Sequence, residues 1–162
     1  QNVLDNINKK TSKQLQLEFM ENTKKAGLLV NGCFILGLPG DTKETIRETI
    51  EFAKELNPDT AQFYPLMVYP GTEAYDWAKA SGNLVSEDYS KWITKAGLHT
   101  TTISRPDMSA EELVKLCDQA RNEYYIRNKY ILSKLSQVIT DPREFARIAK
   151  SFRTFSKHIL KK

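Results

Sequence analysis

The chain has 162 residues, 40% of them hydrophobic and 27% charged, which is typical of a globular protein long enough for one core. No apolar run approaches the roughly 20 residues of a membrane-spanning helix, and the two cysteines, too few for a disulfide framework, favour a reduced, cytoplasmic setting. The net charge of +4 is concentrated in residues 136–162, which carry seven basic and two acidic side chains, so the remainder offers no basic field for nucleic acid.

The first predicted elements are a helix and a strand. Ser12 can cap a helix over residues 12–26, on which Leu15 and Phe19 share one stripe. Residues 28–36 are almost continuously apolar, which indicates a strand covered on both faces of a parallel sheet. Residues 1–14 resemble the interior of a longer protein, so we expect the chain to be a fragment with further domains upstream.

A glycine-rich turn at residues 37–40 leads into the next helix. Asp41 or Thr42 can cap this helix, and Glu44 lies close to the capping-box position. The predicted buried stripe of the helix consists of Ile46, Ile50, Ala53 and Leu56.

Residues 60–68 predict a second strand. Pro65 cannot donate a ladder hydrogen bond, so this strand either lies at a sheet edge or ends early. A turn at residues 70–72 then starts a short helix. Helices and strands that alternate in this way predict an α/β fold with parallel strands joined by helical crossovers.

The second half of the chain is predicted to be helical. Residues 85–108 show no clear period and indicate an irregular connection. Ser109 opens a helix that runs to about Leu135, and a last helix starts at residues 141–142. The buried face of the first of these helices is marked by Leu113, Cys117, Ala120 and Tyr124. We therefore expect three segments, at residues 1–84, 85–108 and 109–162, the last being a helical extension.

The turn Gly37-Leu38-Pro39-Gly40 has two interpretations. In parallel α/β folds, ligands bind beyond the carboxyl ends of strands, and a turn without side chains lets a flat ligand touch the main chain. Backbone N–H groups at the following helix start would favour an anion. Alternatively, the glycines only make a tight connection from strand to helix. The pattern matches no known nucleotide-binding fingerprint.

Two signatures carry a resemblance to a known family. Gly-Leu-Pro-Gly-Asp-Thr at residues 37–42 and Tyr-Pro-Gly-Thr at residues 69–72 resemble the second half of a radical S-adenosylmethionine (radical SAM) barrel. The branch that they resemble most includes cobalamin-binding, anaerobic magnesium-protoporphyrin ester cyclase-like enzymes. The likeness covers about residues 3–84 and is weaker to about residue 130. It implies a partial (βα)6 barrel, with residues 12–26 as its fourth helix and the two predicted strands as its fifth and sixth.

The resemblance also implies a set of cofactor-binding residues. In the family, a motif on the fifth strand packs an aliphatic residue against the adenine of SAM, and Ile35 and Gly37 fit that motif. Gly40 stands at the motif's acidic position with Asp41 one place later, which leaves the role of Asp41 open. The end of the sixth strand would border the adenine too, although an aromatic core pair is an alternative for Phe63. The full set is Ile35, Gly37, Leu38, Pro39, Gly40, Phe63 and Tyr64.

The chain lacks the family's cluster motif. Radical SAM chemistry needs a CxxxCxxC triad that holds a [4Fe–4S] cluster, and only two cysteines occur here. Cys33 and Cys117 are predicted to be small core residues. We therefore expect no metal site and no activity in the isolated chain, with the cluster and any cobalamin domain upstream. The resemblance implies a small-molecule substrate such as a tetrapyrrole. The alternative is a non-catalytic interaction module with a basic, helical carboxyl terminus.

The carboxyl-terminal helix is both apolar and basic. Its predicted apolar stripe comprises Phe145, Ile148, Phe152, Phe155 and Ile159, with basic residues over much of the remaining surface. Such a helix either packs within its own protein or contacts an anionic membrane through residues 143–162.

Overall fold

A computed structural model of the protein describes residues 2–92, 100–142 and 144–160. The α-helices in these residues are α1 (Asn2–Asn6), α2 (Lys13–Lys25), α3 (Lys43–Leu56), α4 (Glu73–Ala80), α5 (Ala110–Ile126), α6 (Asn128–Thr140) and α7 (Glu144–Leu160), and the strands are β1 (Asn31–Leu36) and β2 (Thr60–Pro65). A short 3-10 helix spans Tyr89–Lys91. None of the helices in the described ranges is both long enough and apolar enough to cross a bilayer.

The two strands form a parallel pair with α3 as the crossover, which confirms the predicted α/β alternation. Their register aligns Asn31 with Thr60 and Leu36 with Pro65. Both strands are shorter than predicted. Pro65 is the last residue of β2, and its missing N–H costs no bond to β1, because the Leu66 N–H donates to the Leu36 carbonyl at 2.8 Å.

One face of the sheet is covered by helices and the other is open. Side chains alternate along each strand, so Phe34, Leu36, Ala61 and Phe63 lie on the covered face. The opposite side, here called the open face, carries Asn31, Cys33, Ile35, Gln62 and Tyr64, all of which are exposed. The expectation that the first strand is covered on both faces was therefore wrong for the residues that the structure describes.

The predicted helix stripes form the core. Ile46, Ile50, Ala53 and Leu56 of α3 and Leu113, Cys117, Ala120 and Tyr124 of α5 are all buried, as the helical spacing predicted. Phe34 and Phe63 stack with ring centroids 5.2 Å apart, and Tyr124 lies 6.2 Å from Phe63. The Tyr124 hydroxyl donates a hydrogen bond to the Pro58 carbonyl, which satisfies the polar end of a fully buried ring.

The helix predicted to run to Leu135 is two helices. Arg127, between α5 and α6, has an extended backbone with φ −65° and ψ 139°, which ends the first helix at Ile126. The chain divides into two compact units there, Gln1–Tyr124 and Tyr125–Lys162. The boundaries predicted at residues 84 and 108 differ from this division, because α5 contributes its buried face to the core of the first unit.

The connection after α4 was predicted to be irregular, but part of it is fixed by hydrogen bonds to the main chain that follows β2. Thr101 and Thr102 are buried, and their hydroxyls bind the main chain just beyond β2, with Thr101 donating to the Leu66 carbonyl at 2.7 Å. The Thr102 hydroxyl accepts from the Val68 N–H at 2.8 Å. Leu84 and Ile103 form an antiparallel bridge. These threonines thus hold the main chain that follows β2.

A cluster of charged residues joins α3 to α5. The carboxylate of Glu123 accepts hydrogen bonds from Arg47 at 2.6 and 2.7 Å and from Lys54 at 2.7 Å. Partial burial would raise the pKa of Glu123, but the hydrogen bonds from Arg47, Lys54 and Gln119 outweigh it and lower the pKa to about 2. The ionised carboxylate therefore stabilises the packing of α3 on α5.

We predict that Glu123→Gln destabilises the protein by about 1–2 kcal/mol at pH 7, because the variant loses charge-assisted hydrogen bonds. A pKa lowered by folding contributes stability above the unfolded value of roughly 4.3 and loses it as the pH falls toward 2. Urea unfolding at pH 7 and at lower pH should therefore show a difference between wild type and variant that shrinks in acid. Glu21→Gln, on an exposed pair within α2, is the control and should change stability little. A difference that is the same at both pH values would contradict this account.

The turn after β1 packs against α5. Gly37 is buried and has a φ of +90°, and a Cβ atom built on it would lie 2.5 Å from Cδ2 of Leu113. The bare backbone at this position therefore makes room for a core leucine on the helix side of the sheet.

We predict that Gly37→Ala destabilises the protein by about 2–4 kcal/mol, since it combines a strained positive φ with overpacking. Gly71→Ala is the matched control, because Gly71 has a φ of +84° with no atom within 4 Å of the added Cβ. Thermal unfolding should show a larger loss for Gly37→Ala, and Leu113→Ala in the same chain should recover part of the difference. Equal losses at both glycines would mean that only backbone strain matters.

Candidate functional site

The side chain of Asp41 organises the turn between β1 and α3. Its Oδ2 atom accepts hydrogen bonds from the N–H groups of Gly37 and Leu38 at 2.9 and 3.0 Å. Its Oδ1 atom accepts one from the Thr45 hydroxyl at 2.8 Å. Asp41 is only 3% exposed, so this carboxylate is an internal part of the turn.

The turn therefore presents fewer donors to a ligand than its sequence suggests. The N–H groups of Gly37 and Leu38 already bind the carboxylate of Asp41, so the anion at these two amides is the protein's own. The start of α3 is satisfied as well, because Thr42 and Thr45 cap each other's backbone N–H groups. Thr42 is the N-cap rather than Asp41, and Thr45 occupies the partner position that was expected for Glu44.

Arg105 secures the same turn from the second half of the chain. One of its guanidinium nitrogens donates to the main-chain carbonyl of Asp41 and also lies 3.2 Å from the carboxylate of Asp107. The Arg105 side chain is only 10% exposed. The anchored connection after α4 thus contributes directly to the shape of the candidate site.

The open face changes character along its length. Toward the amino ends of the strands it is polar, since Asn31 receives a hydrogen bond from Thr60 at 2.7 Å and donates one to Gln62 at 3.1 Å. At the carboxyl ends, Ile35 and Tyr64 are partners in the strand register and are 47% and 37% exposed. These two side chains make an apolar surface beside the turn.

A cavity of about 680 Å³ lies next to this apolar surface. It is lined by Val3 and Ile7 of α1, by Cys33, Ile35 and Leu38, and by residues of α2 and α3 such as Gln16 and Phe52. Its volume is in the range of small-molecule sites, which are mostly apolar clefts of about 300–1,000 Å³. A ligand that enters it would contact the carboxyl end of β1.

The structure brings some of the predicted site residues together and separates others from them. Ile35 and Tyr64 lie on the open face, and Leu38 lines the cavity beside them. Pro39 is half-buried in the turn, and Gly40 adopts a φ of +85° where a side chain would collide with Asn6 of α1.

Gly37 and Phe63 lie on the helix side of the sheet. The missing side chain of Gly37 faces Leu113, so the idea that its absence opens space for a ligand on the open face does not match the geometry. The Phe63 ring is 1% exposed and stacks on Phe34, which leaves only its main chain for any ligand on the open face. The aromatic core pair that the sequence allowed for Phe63 is what the structure shows.

Cys33 is the residue of this surface that sequence reasoning misplaced. It is exposed on the open face, and its sulfur lies 3.5 Å from Oε1 of Gln62, so the prediction of a core cysteine was wrong. Side chains two residues apart in a strand lie on the same face, so Cys33 could have been assigned to the face of Ile35, which was predicted to contact a ligand. Cys117 is buried as predicted, and burial raises the pKa of its thiol to about 12, which keeps it protonated.

The residues of this chain do not fit an iron–sulfur cluster. No group of three histidine, cysteine, aspartate or glutamate side chains within the described ranges is arranged to hold a metal ion. Cys33 is exposed on the open face of the sheet, whereas Cys117 lies on α5 in the core. With two cysteines in its sequence, the chain itself does not provide the three thiolates of a CxxxCxxC motif.

Comparison with known proteins finds methyltransferases and a cyclase among the relatives of this chain. No family model matches it. It is 31% identical over 133 residues to an uncharacterized methyltransferase of Pyrococcus horikoshii, covering 82% of this chain and 28% of that protein. It is 27% identical over 131 residues to the anaerobic magnesium-protoporphyrin IX monomethyl ester cyclase of Rubrivivax gelatinosus, covering 80% of this chain and 22% of the cyclase.

A third relative is a methyltransferase by name. The bacteriochlorophyllide d C-8(2)-methyltransferase of Chlorobaculum tepidum is 33% identical over 75 residues, which is 46% of this chain and 17% of that protein. The chain spans less than a third of the length of each of these curated relatives. The cyclase branch that the two glycine-rich signatures predicted is the one in which these relatives are found, and the chain belongs to the radical SAM superfamily.

Proposed function

We propose that this chain forms one side of the SAM-binding site of a radical SAM enzyme that modifies a small molecule. The observation that carries the proposal is the pairing of Ile35 with Tyr64 at the carboxyl ends of two parallel strands, beside the turn that Asp41 holds. In α/β folds, ligands bind at this end of the strands.

The exposed residues suit the adenine of SAM. An aliphatic and an aromatic side chain side by side offer a flat, apolar surface on which a purine ring can stack. Leu38 extends this surface into the adjacent cavity. When SAM is bound to the enzyme and reduced by the [4Fe–4S] cluster, it supplies a 5′-deoxyadenosyl radical. The role of these residues is to hold and orient the adenosine part.

The remaining parts of the enzyme lie outside this chain in the proposal. The [4Fe–4S] cluster comes from upstream residues of the same protein, so the isolated chain is inactive. The names of two relatives support a tetrapyrrole as the substrate class, and cobalamin is a further candidate cofactor. Two free cysteines accord with a reduced, cytoplasmic setting. The second candidate, a non-catalytic interaction module, is supported by the exposed apolar residues of the open face.

We predict that Ile35→Glu, in the longer protein that contains this segment and the cluster motif, weakens SAM binding at least roughly tenfold. The reason is that a carboxylate would replace the aliphatic surface under the adenine and would have to be desolvated. Isothermal titration calorimetry of the anaerobic protein measures the effect.

Val85→Glu is the matched control, because Val85 is 53% exposed and lies outside the site. Its SAM affinity should equal that of wild type. Unchanged affinity in a folded Ile35→Glu variant would remove the adenine role of this surface and would favour the interaction module.

A further inference from the structure

The second unit, Tyr125–Lys162, carries the positive charge of the protein. Its sequence has ten basic and two acidic residues, a net charge of +8, whereas residues 1–124 have 14 basic and 18 acidic residues, a net charge of −4. Lys129 of α6 and Arg147, Lys150 and Arg153 of α7 are exposed. Helices α6 and α7 contact each other and are here called the basic helix pair.

The basic helix pair also exposes large apolar side chains. Leu132, Leu135 and Ile139 follow one another at spacings of three and four on α6, and Ile139 is 80% exposed. Phe145 and Phe152 are seven residues apart on α7, hence on one side of that helix, and Phe152 is 69% exposed. Phe155 and Ile159 belong to the predicted stripe, but their side chains are not among those that the structure describes. Both helices thus combine exposed apolar residues with cations.

We propose that the basic helix pair binds the surface of a bilayer that contains anionic phospholipids. Lysine and arginine side chains are attracted to the negative surface potential, and the apolar side chains enter the boundary between headgroups and acyl chains. One partner then matches both features of the same surface. Phenylalanine and leucine on a helix with a basic polar side are typical of helices that lie in the plane of a membrane.

Two other occupants match only one of these features. A nucleic acid would neutralise the cations but would leave Leu135, Ile139 and Phe152 in water. A second copy of the helix pair would cover apolar surface, but two units of net charge +8 repel each other. The first unit has a net charge of −4, so an anionic surface attracts the second unit and not the first.

The test is sedimentation of the full 162-residue chain with vesicles of phosphatidylcholine containing about 30% phosphatidylserine, compared with pure phosphatidylcholine. We expect binding to the anionic vesicles at low salt and a marked loss at about 0.5 M salt, where exposed charges are screened. Lys150→Glu/Arg153→Glu should weaken binding at least roughly tenfold, since two attractive charges become repulsive. Phe145→Ser/Phe152→Ser should weaken it as well and should leave the melting temperature unchanged.

Matched variants in the first unit separate local from general effects. Lys9→Glu/Lys10→Glu changes the net charge by the same amount at exposed positions, and Leu15→Ser/Phe19→Ser removes apolar residues that are 54% and 58% exposed. Both should bind vesicles like wild type.

Three results would overturn the proposal. The first is no sedimentation of the wild-type chain with anionic vesicles at low salt, whether or not it binds a single-stranded RNA oligonucleotide. The second is equal loss of binding in the variants of the two units. The third is a lowered melting temperature in Phe145→Ser/Phe152→Ser, which would show that these side chains pack within the protein.

Discussion

The carboxylate of Asp41 determines how the first strand ends and how the following helix begins. It binds the N–H groups of Gly37 and Leu38 and the hydroxyl of Thr45, so one side chain joins the strand, the turn and the first turn of α3. A buried carboxylate is costly unless its oxygens are hydrogen-bonded, and here both oxygens are. Because the turn is held from inside, the chain reverses direction without a ligand and delivers Ile35 to the open face in a fixed position.

The two faces of the sheet have different roles: one packs in the core, and the other carries the candidate site. Gly37, Phe34 and Phe63 face the helices, where Leu113 and Tyr124 complete the core. Ile35, Cys33 and Tyr64 face outward, where a ligand or another part of the protein can reach them. The same alternation of side chains explains why neighbouring residues in one signature have opposite roles. A glycine-rich signature can thus mark a ligand site although its first glycine serves core packing.

The helices and the core were the parts of the fold that the sequence predicted best. The spacing of Ile46, Ile50, Ala53 and Leu56 predicted a buried face correctly, and the same holds for Leu113 to Tyr124, because helical periodicity depends on local sequence alone. The burial of each strand face was harder to predict. An apolar strand sequence does not show whether residues of the same chain cover one face of the strand or both. The anchoring of Thr101 and Thr102 beyond β2 and the clamp of Arg105 on Asp41 depend on contacts between distant residues, which one sequence does not reveal.

Amide hydrogen exchange in wild type and Asp41→Asn tests the central role of the Asp41 carboxylate most directly. The substitution keeps the shape but replaces the charged oxygens by one neutral carbonyl oxygen and an NH2 group, so the N–H groups of Gly37 and Leu38 lose either their acceptor or its charge. We predict that these two amides are protected in wild type and exchange at least roughly tenfold faster in the variant, while the amides of the β1–β2 ladder keep most of their protection. Asp59→Asn is the control, because the Asp59 carboxylate accepts from the Val30 N–H and its loss should affect that amide instead. Unchanged exchange at Gly37 and Leu38 in a folded Asp41→Asn protein would contradict the account.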